Sequence, residues 1–331
     1  MKVLVGFSGG VDSTATILLL KEQGFEPIAV TFIFNEFFEV QKTDEIARIL
    51  GVTLIKIDLR EEFEREIIGR FINDYKRGLT PNVCGLCNRE FKIKNLVKIA
   101  KEEGIEKVAT GHYARTDGKF IMRAKYRDKD QSYFLALVRK KHLKYVIFPL
   151  GNYSKEGVRS YVNSHGIHIS RDEESQDVCF IRGKFREFMA EKVGNRPGPV
   201  LGPDGKVVGV HEGIQYYTVG QRRGLEIALG RRVYVSKIDA KSNEVILGEK
   251  EEIFRKFMLV GEMNWFIEPE EGKFHVQIRN VHRAAPASIK LENDKVEVEF
   301  DSPQWAPTPG QIAAFYRDDT LVAGGIIQKS W

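Results

Sequence analysis

The sequence predicts an α/β doubly wound parallel sheet, followed by a small bridging domain and a C-terminal β-barrel. Two observations lead to this prediction. Over roughly the first 125 residues, short β-rich runs alternate with stretches whose apolar residues recur three and four apart and which each end at a glycine. After Asn195–Lys206, where proline and glycine cluster, the helical period disappears and short alternating runs follow. The alternation of strands and helices is typical of a parallel sheet covered by helices. The short alternating runs are typical of all-β domains.

The predicted elements follow in order along the chain. The β-rich runs of the first region are residues 2–7, 27–34, 53–59 and 107–111, and the helical stretches between them are 11–24, 41–51 and 88–104. The alternating runs of the last third are residues 232–238, 244–248, 273–281, 295–300 and 312–316. We therefore expect a catalytic α/β domain over residues 1–190, a small central domain over 191–250 and a barrel over 251–331.

Composition narrows the class of protein. The chain has 331 residues, of which 42% are hydrophobic and 29% charged, as in soluble globular proteins. Three cysteines are too few for the disulfide framework of a small secreted protein. No stretch has the length of a signal peptide or a membrane span, so we expect a cytoplasmic protein with no membrane partner. A net charge of +5 is compatible with a nucleic-acid partner but does not by itself indicate one.

The loop after the first predicted strand, SGGVDS (Ser8–Ser13), has the composition of an anion-binding site. Two glycines let successive backbone N–H groups point inward, two serines add hydroxyl donors, and the following helix contributes its positive N-terminus. The loop lacks the Gly-Lys-Ser/Thr of a Walker A motif. The alternative interpretation is an ordinary strand–helix turn in which Asp12 or Ser13 caps the helix.

SGGVDS resembles the pyrophosphate loop of the N-type ATP pyrophosphatases. Within that group, several stretches are similar to the tRNA-specific 2-thiouridylase family, in that family's order: TPNVCGLCNREFK, ATGHYAR, KDQSYFL, ESQDVCFI, GVHEGIQYYTVGQRRGL, PTPGQIAAFY and AGGIIQ. The resemblance implies that ATP adenylates the carbon-2 oxygen of the wobble uridine in tRNA and that sulfur then replaces this oxygen. It also implies Mg²⁺ beside the pyrophosphate, with Asp12 as a candidate ligand.

The resemblance carries site residues over position by position. For ATP binding they are Gly6, Phe7, Ser8, Gly9, Gly10, Val11, Asp12, Ser13, Ile33 and Gly111. For tRNA binding they are Asn82, Val83, Cys84, His112, Lys129, Asp130, Gln131, Arg279, Asn280 and Gln311. Two positions depart from the family: Ile33 stands where the family has methionine, and Asn280 where it has tyrosine. On residue type alone, the stretches around His112 and Lys129 would also suit an ordinary turn and a solvated loop.

The three cysteines fall within motifs of the resemblance, which implies that they converge on one site. Cys87 takes the nucleophile position and Cys179 that of the persulfide-carrying cysteine, while Cys84 stands where many members have aspartate. Two mechanisms compete. Either Cys179 carries a persulfide, which Cys87 releases by forming a disulfide, or Cys84, Cys87 and Cys179 hold a [4Fe–4S] cluster with one open iron. We expect a helix N-terminus and Arg89 to lower the pKa of Cys87. The sulfur donor is a persulfide-carrying protein or free sulfide.

The predicted helix after the cysteine pair is basic. Its cationic residues are Arg89, Lys92, Lys94, Lys98 and Lys101. We expect these side chains to form a track for the tRNA phosphate backbone, and a solvated charged face is the alternative.

Two other functions remain as alternatives. An ATP pyrophosphatase that delivers nitrogen would leave the cysteines unexplained. A non-enzymatic nucleic-acid-binding protein with structural zinc would leave SGGVDS unexplained, and it would need His112 as the fourth ligand beside three cysteines.

Overall fold

The computed structural model describes residues 1–170, 178–225, 227 and 229–331. Residues 174–177 of the ESQDVCFI motif lie outside the described residues, whereas Cys179 lies within them. No helix in these ranges is long and apolar enough to cross a membrane.

The strands of the described residues are β1 (Lys2–Gly6), β2 (Glu26–Ile33), β3 (Leu54–Asp58), β4 (Lys107–Ala109), β5 (Ala114–Thr116), β6 (Ile121–Arg123), β7 (Val146–Ile147), β8 (Gly198–Leu201), β9 (Val207–His211), β10 (Tyr234–Asp239), β11 (Glu244–Gly248), β12 (Phe254–Trp265), β13 (Gly272–Gln277), β14 (Ala285–Glu292), β15 (Lys295–Trp305), β16 (Ile312–Arg317) and β17 (Thr320–Ser330). The α-helices are α1 (Val11–Glu22), α2 (Val40–Leu50), α3 (Arg60–Phe63), α4 (Gly69–Lys76), α5 (Val83–Cys87), α6 (Ile93–Glu102), α7 (Lys140–Leu143), α8 (Lys155–Ser164) and α9 (Phe185–Val193). Glu64–Ile68 and Asn88–Lys92 are π-helical turns.

The N-terminal domain is built on a five-stranded parallel sheet in the order β3-β2-β1-β4-β7. Alternate residues of β1 enter two different cores: Leu4 packs on one face of the sheet, and Val3 and Val5 pack on the other. Helices cover both faces, which is why these strands are apolar at nearly every position. The sheet confirms the predicted doubly wound fold. The Ser8–Ser13 loop follows the carboxyl end of β1. Open α/β sheets bind their ligands at the carboxyl ends of the strands.

The central and C-terminal regions are all-β, as predicted. Four strands form a sheet in the order β10-β11-β8-β9 around their own apolar core. Six strands, β12-β15-β14-β13-β16-β17, close into a barrel through pairing of β12 with β17. Closure leaves no free edge among these six strands.

A hairpin of the N-terminal domain extends the barrel sheet, which the sequence did not predict. Strands β5 and β6 pair with each other, and Leu321 and Thr320 of β17 pair with Ile121 and Met122 of β6. The hairpin follows directly after the Gly111–His112 turn. The barrel is therefore held against the domain that carries the Ser8–Ser13 loop.

Candidate active site

The Ser8–Ser13 loop is organised around the Ser13 hydroxyl. Ser13 Oγ donates to the Gly10 carbonyl oxygen at 3.0 Å and accepts from the Ser8 backbone N–H at 3.3 Å. Gly9 has φ +72°, a left-handed conformation that favours glycine. No side chain caps the N-terminus of α1, so Asp12 and Ser13 are not the helix caps of the alternative interpretation. The uncapped N–H groups and the helix dipole are available to an anion.

Asp12 is held from two sides. Lys155 Nζ lies 2.9 Å from both carboxylate oxygens, and the Tyr113 hydroxyl donates to Oδ1 at 2.7 Å. The Gly111 backbone packs directly on Asp12: a Cβ at Gly111 would lie 3.0 Å from the Asp12 carbonyl carbon. Glycine at 111 therefore lets the turn after β4 approach the loop. Sequence reasoning missed Lys155 and Tyr113, because neither position carries a local signal for this contact.

A cavity of about 300 Å³ joins the loop to the cysteine region. Its lining residues are Gly6, Phe7, Ser8, Asp12, Ser13, Val30, Phe32, Phe34, Phe38, Phe91, Lys92, Leu96, Thr110, Gly111, His112, Gln131 and Cys179. The lining combines an anion-binding end with an aromatic wall, which suits the phosphates and the base of a nucleotide. Ile33, which we expected to contact ATP, does not line this cavity. Its neighbours Phe32 and Phe34 form the wall instead.

The structure brings the three cysteines together as free thiols. Cys87 is buried, whereas Cys84 and Cys179 are exposed. Burial raises the pKa of Cys87 to about 12, and the charges of Cys179 and Cys84 act on it in the same direction. Since such effects need proximity, the three thiols lie near one another. Asn82 caps the cysteine helix α5 by accepting from Gly85 N–H at 3.0 Å.

Two expectations about Cys87 are wrong. Cys87 is the last residue of α5, so the helix N-terminus lies at the opposite end, at Asn82. Arg89 instead pairs with Glu90 at 2.7 Å and with Glu262 at 3.2 Å, and it is not among the charges that act on Cys87. The cation that lowers the pKa of Cys87 against the effect of burial is Lys92.

His112 lies beside the same cavity as a neutral side chain. Its Nδ1 shares a hydrogen bond with Thr110 Oγ1 at 2.8 Å. Burial lowers the pKa of His112 to about 3, and the Lys92 ammonium contributes to this shift. A neutral imidazole donates from one nitrogen and accepts at the other, so His112 can hydrogen-bond to an uncharged base.

A second cleft, of about 900 Å³, lies between the N-terminal domain and the barrel. Of the residues predicted to contact tRNA, it is lined by Lys129, Asp130, Gln131 and Asn280. Gln131 lines both cavities, and its Oε1 accepts from Tyr113 N–H at 3.0 Å. The cleft and the inner cavity therefore adjoin at Gln131.

Three residues predicted to contact tRNA, one of which lines the cleft, make hydrogen bonds within the protein. Asp130 accepts from Arg123 at 2.9 Å and from Ala124 N–H at 2.8 Å. Arg279 donates to the Val219 carbonyl oxygen at 3.0 Å and does not line the cleft. Gln311 donates to the Thr80 carbonyl oxygen at 2.8 Å. These contacts position the segments around the site.

The barrel also sets the position of α5 directly. Thr80 N–H and Asn82 N–H donate to the carbonyl oxygens of Pro309 and Gly310 at 2.9 and 3.3 Å. A Cβ at Gly85 would lie only 2.2 Å from the Ile312 side chain of β16. Glycine at position 85 therefore allows the cysteine helix to pack tightly on the barrel.

The basic helix is not a single cationic track. Arg89 is engaged with two carboxylates, Lys94 Nζ lies 3.5 Å from Glu62, and Lys101 lies over the Tyr145 ring. Lys92 lines the inner cavity. Lys98 is exposed, so its contact with tRNA phosphate stays a prediction.

Comparison with known families accounts for nearly the whole chain. Residues 1–183 match the family described as "tRNA methyl transferase HUP domain". Residues 186–249 match "tRNA methyl transferase PRC-barrel domain", and residues 255–327 match "Aminomethyltransferase beta-barrel domain".

Curated relatives cover the chain from end to end. The tRNA-specific 2-thiouridylase MnmA of Aquifex aeolicus is 41% identical over 100% of this chain and 99% of its own length. The protein of the same name from Syntrophomonas wolfei is 41% identical over 99% of this chain and 100% of its own length. A solved 4-thiouridine synthetase–RNA complex with bound ATP is more distant, at 22% identity and a TM-score of 0.35 over 50% of this chain and 40% of that chain. The resemblance seen in the sequence motifs is thus confirmed, and the chain belongs to the tRNA-specific 2-thiouridylase family.

Proposed function

We propose that this chain is a tRNA sulfurtransferase that uses ATP to convert the wobble uridine of tRNA to 2-thiouridine, in the cytoplasm. One observation supports this function most directly. The 300 Å³ cavity is lined both by residues of the Ser8–Ser13 loop and by Cys179, so a nucleotide and a sulfur carrier share one space. An adenylated uridine formed there would already lie near the sulfur carrier and would not need to move before sulfur transfer.

The first step is adenylation. The carbon-2 oxygen of the uracil attacks the α-phosphorus of ATP, a new P–O bond forms, and pyrophosphate leaves with the electron pair of the broken bond. The loop N–H groups and the Ser8 and Ser13 hydroxyls bind the pyrophosphate oxygens. Phe32 and Phe34 of the cavity wall pack against the adenine.

Mg²⁺ would neutralise charge on the departing pyrophosphate. In the described residues, however, no group of three or more His, Cys, Asp or Glu side chains is arranged to hold a metal ion. The Asp12 carboxylate is already paired with Lys155. In this position the Asp12 carboxylate is therefore not free to bind Mg²⁺.

The second step is sulfur transfer. A persulfide on Cys179, loaded by a persulfide-carrying protein or from sulfide and an oxidant, attacks carbon 2 through its terminal sulfur, and AMP leaves with the former carbonyl oxygen. Cys87 thiolate then attacks Cys179 Sγ, so that a Cys87–Cys179 disulfide forms and the sulfur–sulfur bond to the base breaks. The electron pair remains on the sulfur at carbon 2. An external dithiol reduces the disulfide for the next turnover.

A [4Fe–4S] cluster on Cys84, Cys87 and Cys179 is the alternative means of presenting sulfur. The described thiols do not form a three-ligand metal set as they are placed. Cys179 itself lines the cavity, which supports the route through its persulfide, and Cys84 has no essential part in that route.

The tRNA reaches the cavity through the outer cleft. The wobble nucleotide leaves the anticodon stack, since a base must be extruded before its edge can be modified. Lys129 binds phosphate at the entrance, and Gln131, which lines both spaces, hydrogen-bonds to the base on its way inward.

A direct assay tests this function against its rivals. Protein, ATP and tRNA are incubated with a persulfide-carrying protein, or with sulfide and an oxidant, and thiolated nucleoside and pyrophosphate are both measured. We expect 2-thiouridine and pyrophosphate to form only when tRNA is present. Pyrophosphate formed without tRNA would indicate another ATP pyrophosphatase, such as one that delivers nitrogen. A protein that binds tRNA but releases no pyrophosphate would be the non-enzymatic alternative.

A further inference from the structure

Lys92 has an unusual position in the chain. It is the last residue of the π-helical turn Asn88–Lys92, where Ile93 N–H donates to the Asn88 carbonyl oxygen, five residues back. The neighbouring side chains of Phe91 and Ile93 are 1% and 0% exposed in the core, whereas Lys92 lines the cavity. The π-helical turn contains one residue more than an α-helical turn. This extra residue orients the Lys92 side chain toward the cysteines. Single π turns of this kind occur frequently at functional sites.

The Lys92 ammonium has no carboxylate partner among the described residues, unlike the nearby cations Arg89 and Lys94. The ionisable groups that respond to its charge are the three cysteine thiols and His112. The Lys92 side chain is exposed to the cavity, where partial desolvation works against its charged form, yet its pKa is raised by the sulfur charges of Cys87, Cys179 and Cys84. A cation that lines a cavity without a carboxylate partner is suited to meeting an anion formed there.

Sulfur transfer needs such a cation. Only the thiolate of a cysteine is an effective nucleophile, and Cys87 is only 5% exposed, so a negative charge on its sulfur needs a cationic partner. Besides its ammonium, Lys92 provides a backbone hydrogen bond that also lowers the pKa of Cys87. The two residues are five apart, the spacing that a π turn brings together.

We infer that Lys92 is a catalytic residue of the sulfur-transfer step, whose ammonium pairs with the sulfur anions of Cys87 and Cys179. This inference rests on the proposed function. While Cys87 attacks Cys179 Sγ, negative charge moves from the Cys87 sulfur to the sulfur bound at carbon 2. The ammonium lies in the cavity that Cys179 lines, close enough to both cysteines to stabilise the charge at both ends of this exchange. Adenylation uses the Ser8–Ser13 loop and does not use Lys92.

The test separates the two steps with charge variants. Lys92→Met removes the ammonium, Lys92→Arg keeps a positive charge, and Lys76→Met removes the same charge from the exposed last turn of α4 as a matched control. Each full-length variant is assayed with ATP, tRNA and a persulfide-carrying protein as sulfur donor, for pyrophosphate release and for 2-thiouridine in a single turnover. Thermal unfolding and tRNA binding verify that each variant is folded.

We expect Lys92→Met to release pyrophosphate at the wild-type rate and to form 2-thiouridine at least about tenfold more slowly, because the sulfur anions lose their contact with the ammonium. Lys92→Arg should restore most of the thiolation, and Lys76→Met should match the wild type. Equal loss of pyrophosphate release and thiolation in a folded Lys92→Met would overturn the inference, because the ammonium would then serve the phosphates. Unchanged thiolation in Lys92→Met, or equal loss in a folded Lys92→Arg, would overturn it as well. A wild-type protein that releases pyrophosphate without thiolating tRNA would instead refute the proposed function.

Discussion

Lys155 Nζ lies 2.9 Å from both carboxylate oxygens of Asp12, and this ion pair joins the first residue of α8 to the second residue of α1. The side chains of Lys155 and Asp12 are only 15% and 33% exposed. The pair therefore holds the start of α1 at a defined place beside the phosphate-binding loop. Loss of this ion pair should therefore reduce the rate of adenylation more than it reduces the affinity for tRNA.

The first prediction follows from this pair. Asp12→Ala should slow tRNA-dependent pyrophosphate release by about 100-fold, because the loop loses its orientation toward the pyrophosphate. Affinity for tRNA should stay within about twofold of wild type. Asp44→Ala, which breaks the exposed pair with Lys56, serves as the control. Equal losses of pyrophosphate release and tRNA binding in Asp12→Ala would mean that the loop is only structural.

The second prediction concerns Gly111. A methyl group at this position would lie 3.0 Å from the Asp12 backbone. Gly111→Ala should therefore raise the KM for ATP and lower the free energy of unfolding by about 1–3 kcal/mol. Gly69→Ala is the matched control, since Gly69 begins α4 and its added Cβ would make only an ordinary contact at 3.4 Å. Chemical denaturation and ATP titration of both variants measure the difference, and an unchanged KM in Gly111→Ala would argue against close approach of the turn to the nucleotide.

The third prediction concerns the outer cleft. Binding of tRNA should weaken steeply with salt, because contacts between cationic side chains and phosphates release counterions. Lys129→Met should reduce the slope of log Kd against log salt concentration by about 1. Fluorescence anisotropy over a salt series measures the slope, with Lys76→Met as a control for net charge. A slope that Lys129→Met leaves unchanged would place phosphate binding elsewhere.

The fourth prediction concerns the cysteines. In the persulfide route, Cys87→Ala and Cys179→Ala should each abolish thiolation, whereas Cys84→Ala should retain it. Protein purified without oxygen, or reconstituted with iron and sulfide, should retain no stoichiometric iron. Iron counting beside the thiolation assay decides the question. Stoichiometric iron that disappears in all three variants together with thiolation would instead indicate a cluster site.

The fifth prediction concerns pH and His112. The folded pKa of about 3 is below the ordinary value of 6.5, because burial and Lys92 disfavour the imidazolium. Between about pH 3 and pH 6.5, His112 therefore binds a proton in the unfolded chain but not in the folded chain. The contribution of His112 to stability is therefore complete above about pH 6.5 and is lost as the pH falls toward 3, by up to about 1.4 kcal/mol per pH unit.

Denaturant unfolding at pH 4.5, 5.5 and 7.5 measures this dependence. His112→Gln should flatten the fall in stability below pH 6.5, whereas His168→Gln, which removes an exposed histidine, serves as the control. The same fall in stability in both variants would show that His112 accepts a proton in the folded protein.

Much of the architecture is encoded in local patterns. The β-rich runs of the first region lie where β1, β2, β3 and β4 form, and Ser8–Ser13 lies between β1 and α1. A strand buried on both faces must be apolar nearly throughout, and a helix covering a sheet must be apolar every three or four residues. These requirements act on residues that are close in sequence, so the sequence alone determines them. The cysteine motif and the phosphate-binding loop were recognisable for the same reason.

The charge arrangement around the cysteines depended on the tertiary structure. Arg89 and Lys92 are three residues apart on one helical stretch, and residue type does not distinguish them. Arg89 pairs with Glu262 of β12, which only the docked barrel brings near, and the π turn directs Lys92 toward the thiols. The raised pKa of Cys87 likewise comes from burial by packed neighbours. Coulomb interactions and desolvation depend on distances between groups far apart in the chain, and those distances are set only when the domains pack.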